Sequence, residues 1–483
     1  MPISSSDSAL PMPSANQTPP TLRSAVLTEI AALWKLAWPI LIGQLANTGM
    51  AVADVVMAGH ASAQDLAGVG LGVSIWNIIV ITLIGMMMSV NPVVAHHVGA
   101  REFDLVPHVV RQALWKALGV GSLAFLLANA STLVFDLLAL EPLVDNVARN
   151  FVHITSFALP AFTCYRVLYG YSASLNQTKP IMAIALGALV LNIVVNWLLV
   201  FGNAGMPQLG GLGCAWSTLA CVWFNLGGLL WWMHRSPAYR STWPFGVFEA
   251  PHREKVHSLI RLGLPIGVTF FAETSAFSLI ALLVARFGST QIAAHQIALN
   301  FTSLVFMVPL SMGMALLTRV GHSLGAGDPA AARFRAWVGV GAALAYAMVS
   351  AVAMAWFNTQ IATLYTSDTA VVSAAATLLL LAAAFQLSDA TQVVTSCAIR
   401  GYKVTRAPMV VQLTAFWVFA LPLGCTLGLA PAWLPWHPAE PMQAQGFWIA
   451  LAVGLSVAAV GLTILLRIVS RDHLPAITRL KVA

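Results

Sequence analysis

The segment LAWPILIGQLANTGMAVAD, residues 36–54, decides the fold class of this chain. It is apolar, and its length is close to the roughly 20 residues that a helix needs to cross the hydrocarbon core of a bilayer. Its first residues, LAWPI at 36–40, return as LGLPI at 262–266. Its one charged side chain is Asp54, the last residue of the segment. The segment therefore predicts a membrane helix, a duplicated chain and an acid held inside the membrane.

The composition of the whole chain is typical of a membrane protein. Of the 483 residues, 59% are hydrophobic and 8% are charged, against about 25% charged residues in soluble domains. About twelve apolar spans can be drawn, near residues 33–54, 66–91, 112–135, 150–172, 181–202, 212–234, 259–286, 291–318, 334–357, 371–398, 407–430 and 446–468. Helices are expected because a helix satisfies its own backbone groups in lipid, and the spans lack the alternation of a barrel. We therefore expect an all-α membrane protein with twelve transmembrane helices.

The repeat continues beyond the first segment. Gly99-Ala100 follows the second span, and Gly325-Ala326 follows the eighth at the same offset as the first pair. Six spans followed by six in the same orientation predict two six-helix lobes related by pseudo-two-fold symmetry along the membrane normal. The expected organisation is a disordered cytosolic tail (1–25), an N-terminal lobe (26–234), a cytosolic interlobe linker (235–258), a C-terminal lobe (259–470) and a second cytosolic tail (471–483).

The positions of Lys and Arg predict the orientation. Nearly all of them fall in the tails and in the loops on one side of the spans, which we call the basic side; the opposite loops carry only Arg149 and Arg286. Because Lys and Arg mark cytoplasmic loops, both termini are expected to be cytosolic. The net charge of +7 is spread over short loops without a continuous basic face, which argues against a nucleic-acid partner. His96-His97, at the basic end of a span, are expected to be solvated.

Three acids lie inside the predicted helices: Asp54, Glu273 and Asp389. A charged side chain at the centre of a bilayer costs about 2.5–3.5 kcal/mol even on insertion scales. No Lys or Arg is expected at mid-span to pair with these acids. We therefore predict that all three are cation-coupling residues that bind a proton, a sodium ion or a cationic substrate.

Amides and hydroxyls accompany the acids at helical spacing, which places them on shared helix faces. The polar sets are Gln44, Asn47 and Asp54 in the first span, Asn192 and Asn196 in the fifth, Thr269 and Glu273 in the seventh, Gln296 and Asn300 in the eighth, and Gln386, Asp389 and Gln392 in the tenth. Amides either hold membrane helices together or line a cavity for substrate and ions, and both interpretations stay open for Gln296, Asn300, Gln386 and Gln392. Pro39 and Pro265, early in their spans, are either tolerated first-turn prolines or hinges.

Several longer motifs carry a resemblance to a known family. They are LAWPILIGQLANTG at 36–49, DVVMAG at 54–59, AAHQIALN at 293–300, QLSDATQVV at 386–394 and RGY at 400–402. Together they resemble the multidrug and toxic compound extrusion (MATE) family, and within it the NorM-like bacterial group, over essentially the whole chain after the tail. The resemblance implies a V-shaped transporter of twelve helices that exports cationic amphipathic drugs in exchange for Na⁺ or H⁺.

The resemblance also implies roles for individual residues. Asp54 would serve ion or substrate coupling in the N-terminal lobe, near the asparagines of the fifth span. Glu273 and Asp389 would form the cation site of the C-terminal lobe, with Na⁺ as a candidate ligand. Many sodium-using relatives have a tyrosine one turn before the acid of the tenth span, where this chain has Phe385. The ring is kept without the hydroxyl, so the resemblance does not decide between Na⁺ and H⁺.

The motifs that are absent limit the source of energy. The chain has no G-x-x-x-x-G-K-[ST] phosphate loop and no H-E-x-x-H sequence. We therefore expect a secondary active multidrug efflux transporter of the bacterial inner membrane. It should be a monomer without catalytic activity or cofactor, and its partners should be cationic drugs, lipid and the coupling ion.

Two alternatives remain: a flippase for lipid-linked oligosaccharides, which needs cations lining its cavity, and a membrane-embedded transferase, which needs a metal or phosphate motif.

Overall fold

Helices make up nearly all of the described structure. The computed structural model describes residues 21–137, 141–430 and 440–473, and none of these residues lies in a β-strand. The N-terminal half contains α1 (Leu22–Ala61), α2 (Ala63–Met87), α3 (Val90–Gly99), α4 (Leu105–Ser131), α5 (Pro142–Ser156), α6 (Leu159–Ser174), α7 (Lys179–Phe201) and α8 (Gly211–Arg235). The C-terminal half contains α9 (Arg253–Val284), α10 (Ser289–Gly325), α11 (Pro329–Trp356), α12 (Asn358–Thr363), α13 (Thr369–Gly401), α14 (Arg406–Leu413), a π-helix (Thr414–Ala420), α15 (Leu421–Leu429) and α16 (Gln443–Asp472).

Twelve membrane crossings can be counted among the described residues. Eleven are helices long and apolar enough to cross, and the bent pair α5–α6 makes the twelfth. The prediction of an all-α membrane protein is therefore confirmed. The pair α5–α6, predicted as one span near 150–172, bends by 47°. Pro160 lies just after the break, where a proline disfavours helical backbone in the preceding residue and supplies no amide hydrogen.

Several predicted boundaries differ from the structure. The helix α1 begins at Leu22 because the Thr21 hydroxyl accepts a hydrogen bond from the Ser24 amide, so residues 22–25 are helical and do not belong to a disordered tail. Residues 253–258, expected in the linker, form the start of α9, and α16 runs to Asp472. The rest of the two predicted tails, 1–20 and 474–483, lies outside the described residues.

The interpretation of two prolines as first-turn residues is wrong. Pro39 lies inside α1, which begins at Leu22, and Pro265 lies inside α9, which begins at Arg253. A proline in a helix interior removes a backbone hydrogen bond and is a usual cause of a kink. The helices therefore have a local weakness at equivalent places in the two lobes, and a hinge role for these prolines stays a prediction.

The two lobes meet on the basic side through direct backbone contact. A Cβ atom added to Gly99 would lie 2.1 Å from the carbonyl oxygen of His322, and one added to Gly325 would lie 2.0 Å from that of His96. Both distances are far inside van der Waals contact, so only glycine allows this approach. Each lobe thus contributes one glycine and one histidine to the contact.

The same histidines form hydrogen bonds across the lobes. Nε2 of His96 lies 3.0 Å from the carbonyl oxygen of Gly401, and Nε2 of His322 lies 2.7 Å from that of Ser174. We call these two bonds and the two glycine contacts the interlobe seal. The expectation that His96 is a solvated residue is therefore wrong, because its ring packs between the lobes. An ion pair between Glu29 of α1 and Arg319 of α10, 2.6 Å apart, adds to the contact between the lobes.

The linker between the lobes is attached to α4. Glu249 accepts hydrogen bonds from Arg111 Nε (2.8 Å) and Gln112 Nε2 (3.0 Å), and it contacts His108. The backbone carbonyl of Glu249 also accepts a bond from Trp115 Nε1 at 2.8 Å. Burial alone would raise the pKa of Glu249, but the bonds from Arg111, His108 and Gln112 together lower it below its ordinary value.

This attachment should depend on pH. Because the pKa of Glu249 is lowered in the folded state, its carboxylate stabilises the linker fully above the ordinary pKa of 4.5 and loses this effect as the pH falls through the lowered value. We expect hydrogen–deuterium exchange of residues 246–252, corrected for the intrinsic rate, to stay slow from neutral pH to about pH 4.5 and to accelerate below it. The Glu249→Gln variant should exchange faster with little pH dependence; an unchanged pH profile in that variant would assign the effect to another group.

Candidate functional site

The carboxylate of Asp54 lies at the centre of a hydrogen-bond network in the N-terminal lobe. Its Oδ1 accepts bonds from Nδ2 of Asn192 (3.0 Å) and Nδ2 of Asn196 (2.6 Å), and its Oδ2 lies 3.4 Å from Oγ1 of Thr218. The two asparagines are one turn apart on α7 and therefore face α1 together. The structure thus brings together three residues that the sequence placed on two polar helix faces.

The network around Asp54 contains neutral donors and no cation. Asn192 Nδ2 also bonds to Ser217 Oγ at 3.0 Å, and the Ser217 hydroxyl donates to the Asn192 carbonyl oxygen. No described Lys, Arg or His forms an ion pair with Asp54, which is 8% exposed. A hydrogen bond to a charged group stabilises it by about 1.5–3 kcal/mol, whereas burial of an unpaired carboxylate costs more than a few such bonds return. The site can therefore exchange a proton or another cation.

Asp54 opens onto a cavity of about 220 Å³ inside the N-terminal lobe. Polar side chains from four helices line it with Asp54: Gln44, Asn47, Asn77, Asn192, Thr218 and Asn225. Aromatic rings form much of the remaining wall: Trp76, Phe151, Phe162 and Tyr165. Gln44 and Asn47 therefore face the same space as Asp54. An acid within an apolar, aromatic cavity suits a ligand that joins a cation to rings.

The sequence predicts no Lys or Arg at mid-span to pair with the acids, but the membrane helices contain three buried cations, and one of them, Arg400, interacts electrostatically with Glu273. Lys116 is buried in α4, where its Nζ donates to the Met86 carbonyl oxygen (2.9 Å) and to Ser89 Oγ (2.8 Å). Arg166 of α6 lines the Asp54 cavity. Arg400 of α13 is 4% exposed. All three could be read from the sequence, because they fall within or beside predicted spans, but their burial could not.

The two acids of the C-terminal lobe form a second site. Asp389 of α13 is 5% exposed, and Glu273 of α9 is half-buried. The two carboxylates are close enough to interact electrostatically, and Glu273 interacts in the same way with the Arg400 guanidinium. Neither carboxylate accepts a hydrogen bond from the described residues. The structure therefore brings this predicted pair together in the lobe opposite Asp54.

Aromatic rings pack around the second site. The ring of Phe385 lies 6.3 Å from that of Phe277 and 5.7 Å from that of Trp448, centroid to centroid. Trp448 donates through Nε1 to Nδ1 of the buried His295 at 3.1 Å. Gln386 is fully buried, and both polar atoms of its side chain lack a partner among the described residues. Phe385 and Gln386 thus lie in the packed interior of the lobe.

The structure does not bring Gln296 and Asn300 to the acids. Both side chains of α10 are exposed, and the one side-chain bond of the pair runs from Asn300 Nδ2 to the Gln296 carbonyl oxygen (2.9 Å). Sequence reasoning also missed the π-helix Thr414–Ala420, in which Trp417 Nε1 donates to the Ala272 carbonyl oxygen at 3.1 Å. This contact lies next to Glu273, and π-helical turns occur frequently at functional sites.

Among the described residues, no group of three or more His, Cys, Asp or Glu side chains could hold a metal ion. A cation at Glu273 and Asp389 would need further oxygen ligands from backbone, hydroxyl groups or water.

Comparisons with known proteins agree with this architecture. Residues 39–198 and 265–426 match the MatE family. The chain is 43% identical to the multidrug resistance protein PmpM of Pseudomonas aeruginosa over 442 residues, which cover 91% of each chain. It is 39% identical to the multidrug resistance protein NorM of Vibrio cholerae over 431 residues, which cover 89% of this chain and 93% of the relative.

Solved structures share the fold. The eukaryotic MATE transporter AtDTX14 superposes with a TM-score of 0.82 at 21% identity, and the match covers 95% of this chain and all of that one. A multidrug resistance MATE family transporter of the MOP superfamily, solved in an outward-facing conformation, gives a TM-score of 0.81 at 17% identity over 92% of this chain. The two matched segments of the family coincide with the two halves of the repeat.

Proposed function

The chain belongs to the MatE family, and from this premise we propose that it is a secondary active multidrug efflux transporter. It would export cationic amphipathic drugs in antiport with H⁺ or Na⁺. Its location would be a bacterial inner membrane, with both termini in the cytosol. The relatives named above are multidrug resistance proteins of bacteria, and most of the Lys and Arg of this chain lie on one side of its spans.

The observation that carries this proposal is the environment of Asp54. Its carboxylate is buried, is held by the neutral donors Asn192, Asn196 and Thr218, and faces an aromatic cavity. A carboxylate without a protein counterion requires a cation from outside. The cavity of about 220 Å³ is smaller than the roughly 300–1,000 Å³ of drug sites, so in this conformation it would hold only part of a drug.

The acidic pair of the C-terminal lobe would bind the coupling ion. Glu273 and Asp389 interact with each other without hydrogen-bond donors from the described residues, so binding of one cation between them would relieve their repulsion. In the proposed cycle, an ion neutralises an acid while the cavity faces outward, and the drug is released. The protein then reorients to the cytosol and reloads.

The energy of the gradient favours more than one coupling ion. One charge gains about 2.3 kcal/mol per 100 mV, and one proton gains about 1.4 kcal/mol per pH unit. A monovalent cationic drug exchanged for one proton moves no net charge, so only the pH difference would drive export. A transporter with acids in both lobes can bind a second ion and thereby use the membrane potential.

A flippase for lipid-linked oligosaccharides is the weaker alternative. Such a protein needs cationic side chains for a pyrophosphate, and Arg166 does line the cavity. Asp54 lies in the same cavity, however, and its carboxylate would repel a pyrophosphate. The mixed charge therefore favours a ligand that carries a positive group.

Transport in proteoliposomes with Na⁺ and pH gradients imposed separately tests this proposal. We expect drug uptake into inverted vesicles to follow at least one gradient and to stop when that gradient is collapsed. Asp389→Asn and Glu273→Gln should each lower the rate at least tenfold, because an amide cannot take up a proton and has no negative charge to balance a bound Na⁺. The matched control is Asp368→Asn, an exposed acid that caps the N-terminus of α13. Uptake that follows neither gradient in the wild type, or equal rates in all variants, would contradict the proposal.

A further inference from the structure

Arg166 is a buried cation that forms no ion pair with the described residues, and it lines the cavity that also contains Asp54. It lies on α6 and is 8% exposed. Its Nε has no hydrogen-bond partner, and the guanidinium forms no hydrogen bond or ion pair with the described residues. The guanidinium lies over the Tyr169 ring, whose centroid is 4.5 Å from the guanidinium carbon. A cation–π contact offsets only part of the cost of burying a charge.

The cavity is elongated, and its charges lie apart along its length. On α2 the lining runs from Val73 to Ile84, about 16 Å at 1.5 Å per residue. Asp54 lies two turns from the end of α1 opposite the basic side, whereas Arg166 lies about two turns from the basic end of α6. A ligand that reaches both charges therefore has to extend along the cavity.

The lining between the two charges suits an aromatic ligand. The rings of Trp76 and Phe162 are 6.4 Å apart, centroid to centroid, and face the cavity together with Tyr165. Asn225, farther along α8 than Thr218, also lines the cavity and has an Oδ1 without a partner. A guanidinium presents a fork of N–H donors that matches the two oxygens of a carboxylate.

We propose that Arg166 is a specificity-determining residue that binds the carboxylate of aromatic zwitterions whose positive group is bound at Asp54. This proposal rests on the proposed export function and assigns to one residue the discrimination between zwitterionic and purely cationic aromatic substrates. It also changes the energetics of exchange. A zwitterion carries no net charge, so exchange for one proton moves one charge, and each 100 mV would support about a 50-fold larger gradient.

A matched pair of dyes tests the assignment. One is a rhodamine with a free carboxylate, and the other is the methyl ester of the same dye, which is a cation. Both would be measured in inverted vesicles under the same imposed gradient. We expect Arg166→Gln to lower the ratio of carboxylate to ester transport at least tenfold while ester transport stays within about twofold of wild type. Arg166→Lys, which keeps the charge, should recover most of the ratio, and Arg286→Gln, an exposed arginine, should leave it unchanged.

The possible failures are distinguishable. An unchanged ratio in Arg166→Gln, or an equal fall for both dyes that Arg166→Lys does not reverse, would overturn the role of Arg166. Transport of the ester but not of the carboxylate dye by wild type would overturn the zwitterion class. Transport of neither dye by wild type would count against the export function itself. If Arg166→Gln fails to fold, the binding of both dyes to purified wild-type protein replaces the transport test. The carboxylate dye should bind at least fivefold tighter than its ester. Equal or weaker binding of the carboxylate dye would overturn the proposal.

Discussion

Replacement of Asp54 by Asn is expected to reduce drug efflux at least tenfold, with little change in the amount of protein in the membrane. The amide has nearly the shape of the carboxylate, and its oxygen can still accept from Nδ2 of Asn192 and Nδ2 of Asn196. It cannot take up a proton, however, and it lacks the negative charge that balances a bound sodium ion. A tenfold loss corresponds to about 1.4 kcal/mol, which is less than the loss of one bond to a charged group.

The measurement is the initial rate of drug uptake into inverted vesicles at matched protein levels. Asp104→Asn is the control, because Asp104 is an exposed acid before α4 that makes no capping bond. Wild-type efflux by the Asp54→Asn protein would remove Asp54 from the coupling mechanism. A loss of efflux with unchanged drug binding would assign Asp54 to the ion, and a parallel loss of both would assign it to the drug.

Replacement of Gly99 or Gly325 by alanine should lower transport by a factor similar to that expected for Asp54→Asn. The reason is different, because these glycines lie where the two lobes meet. The added Cβ atoms would lie 2.1 Å and 2.0 Å from backbone carbonyl oxygens of the other lobe. Because a helix backbone cannot yield as a flexible side chain does, the two lobes would have to separate on the basic side. The conformation that is closed on the basic side would then be disfavoured. Transport would slow because the transport cycle passes through this conformation.

Spin labels can detect this separation. With the native cysteines replaced, labels at the exposed residues Ala100 and Ala326 should move apart in Gly325→Ala. Gly341→Ala is the control, because a Cβ atom there meets nothing within 4 Å, and it should leave both distance and rate unchanged. Wild-type distance and rate in Gly325→Ala would mean that the close approach is not required.

The sequence allowed much of the fold and part of the site to be predicted. Hydropathy predicts the crossings because every backbone group must be satisfied within lipid. The spacing of Asn192 and Asn196 predicts a shared face, and that face turned out to meet Asp54. Arg166 was visible in a predicted span, yet a sequence does not show which side chains turn inward. The π-helix Thr414–Ala420 gives no signal, since its apolar residues suit an α-helix equally well.

The interlobe seal has the geometry of a symmetric dimer interface contained in one polypeptide. In a two-fold dimer, residue i of one subunit contacts residue j of the other, and j contacts i. Gly99 against His322 and Gly325 against His96 reproduce this reciprocity. Duplication and fusion of a six-helix chain that formed a two-fold dimer would produce this arrangement. Changes in the two halves of the seal act on one continuous surface, so their effects on closure should not be additive.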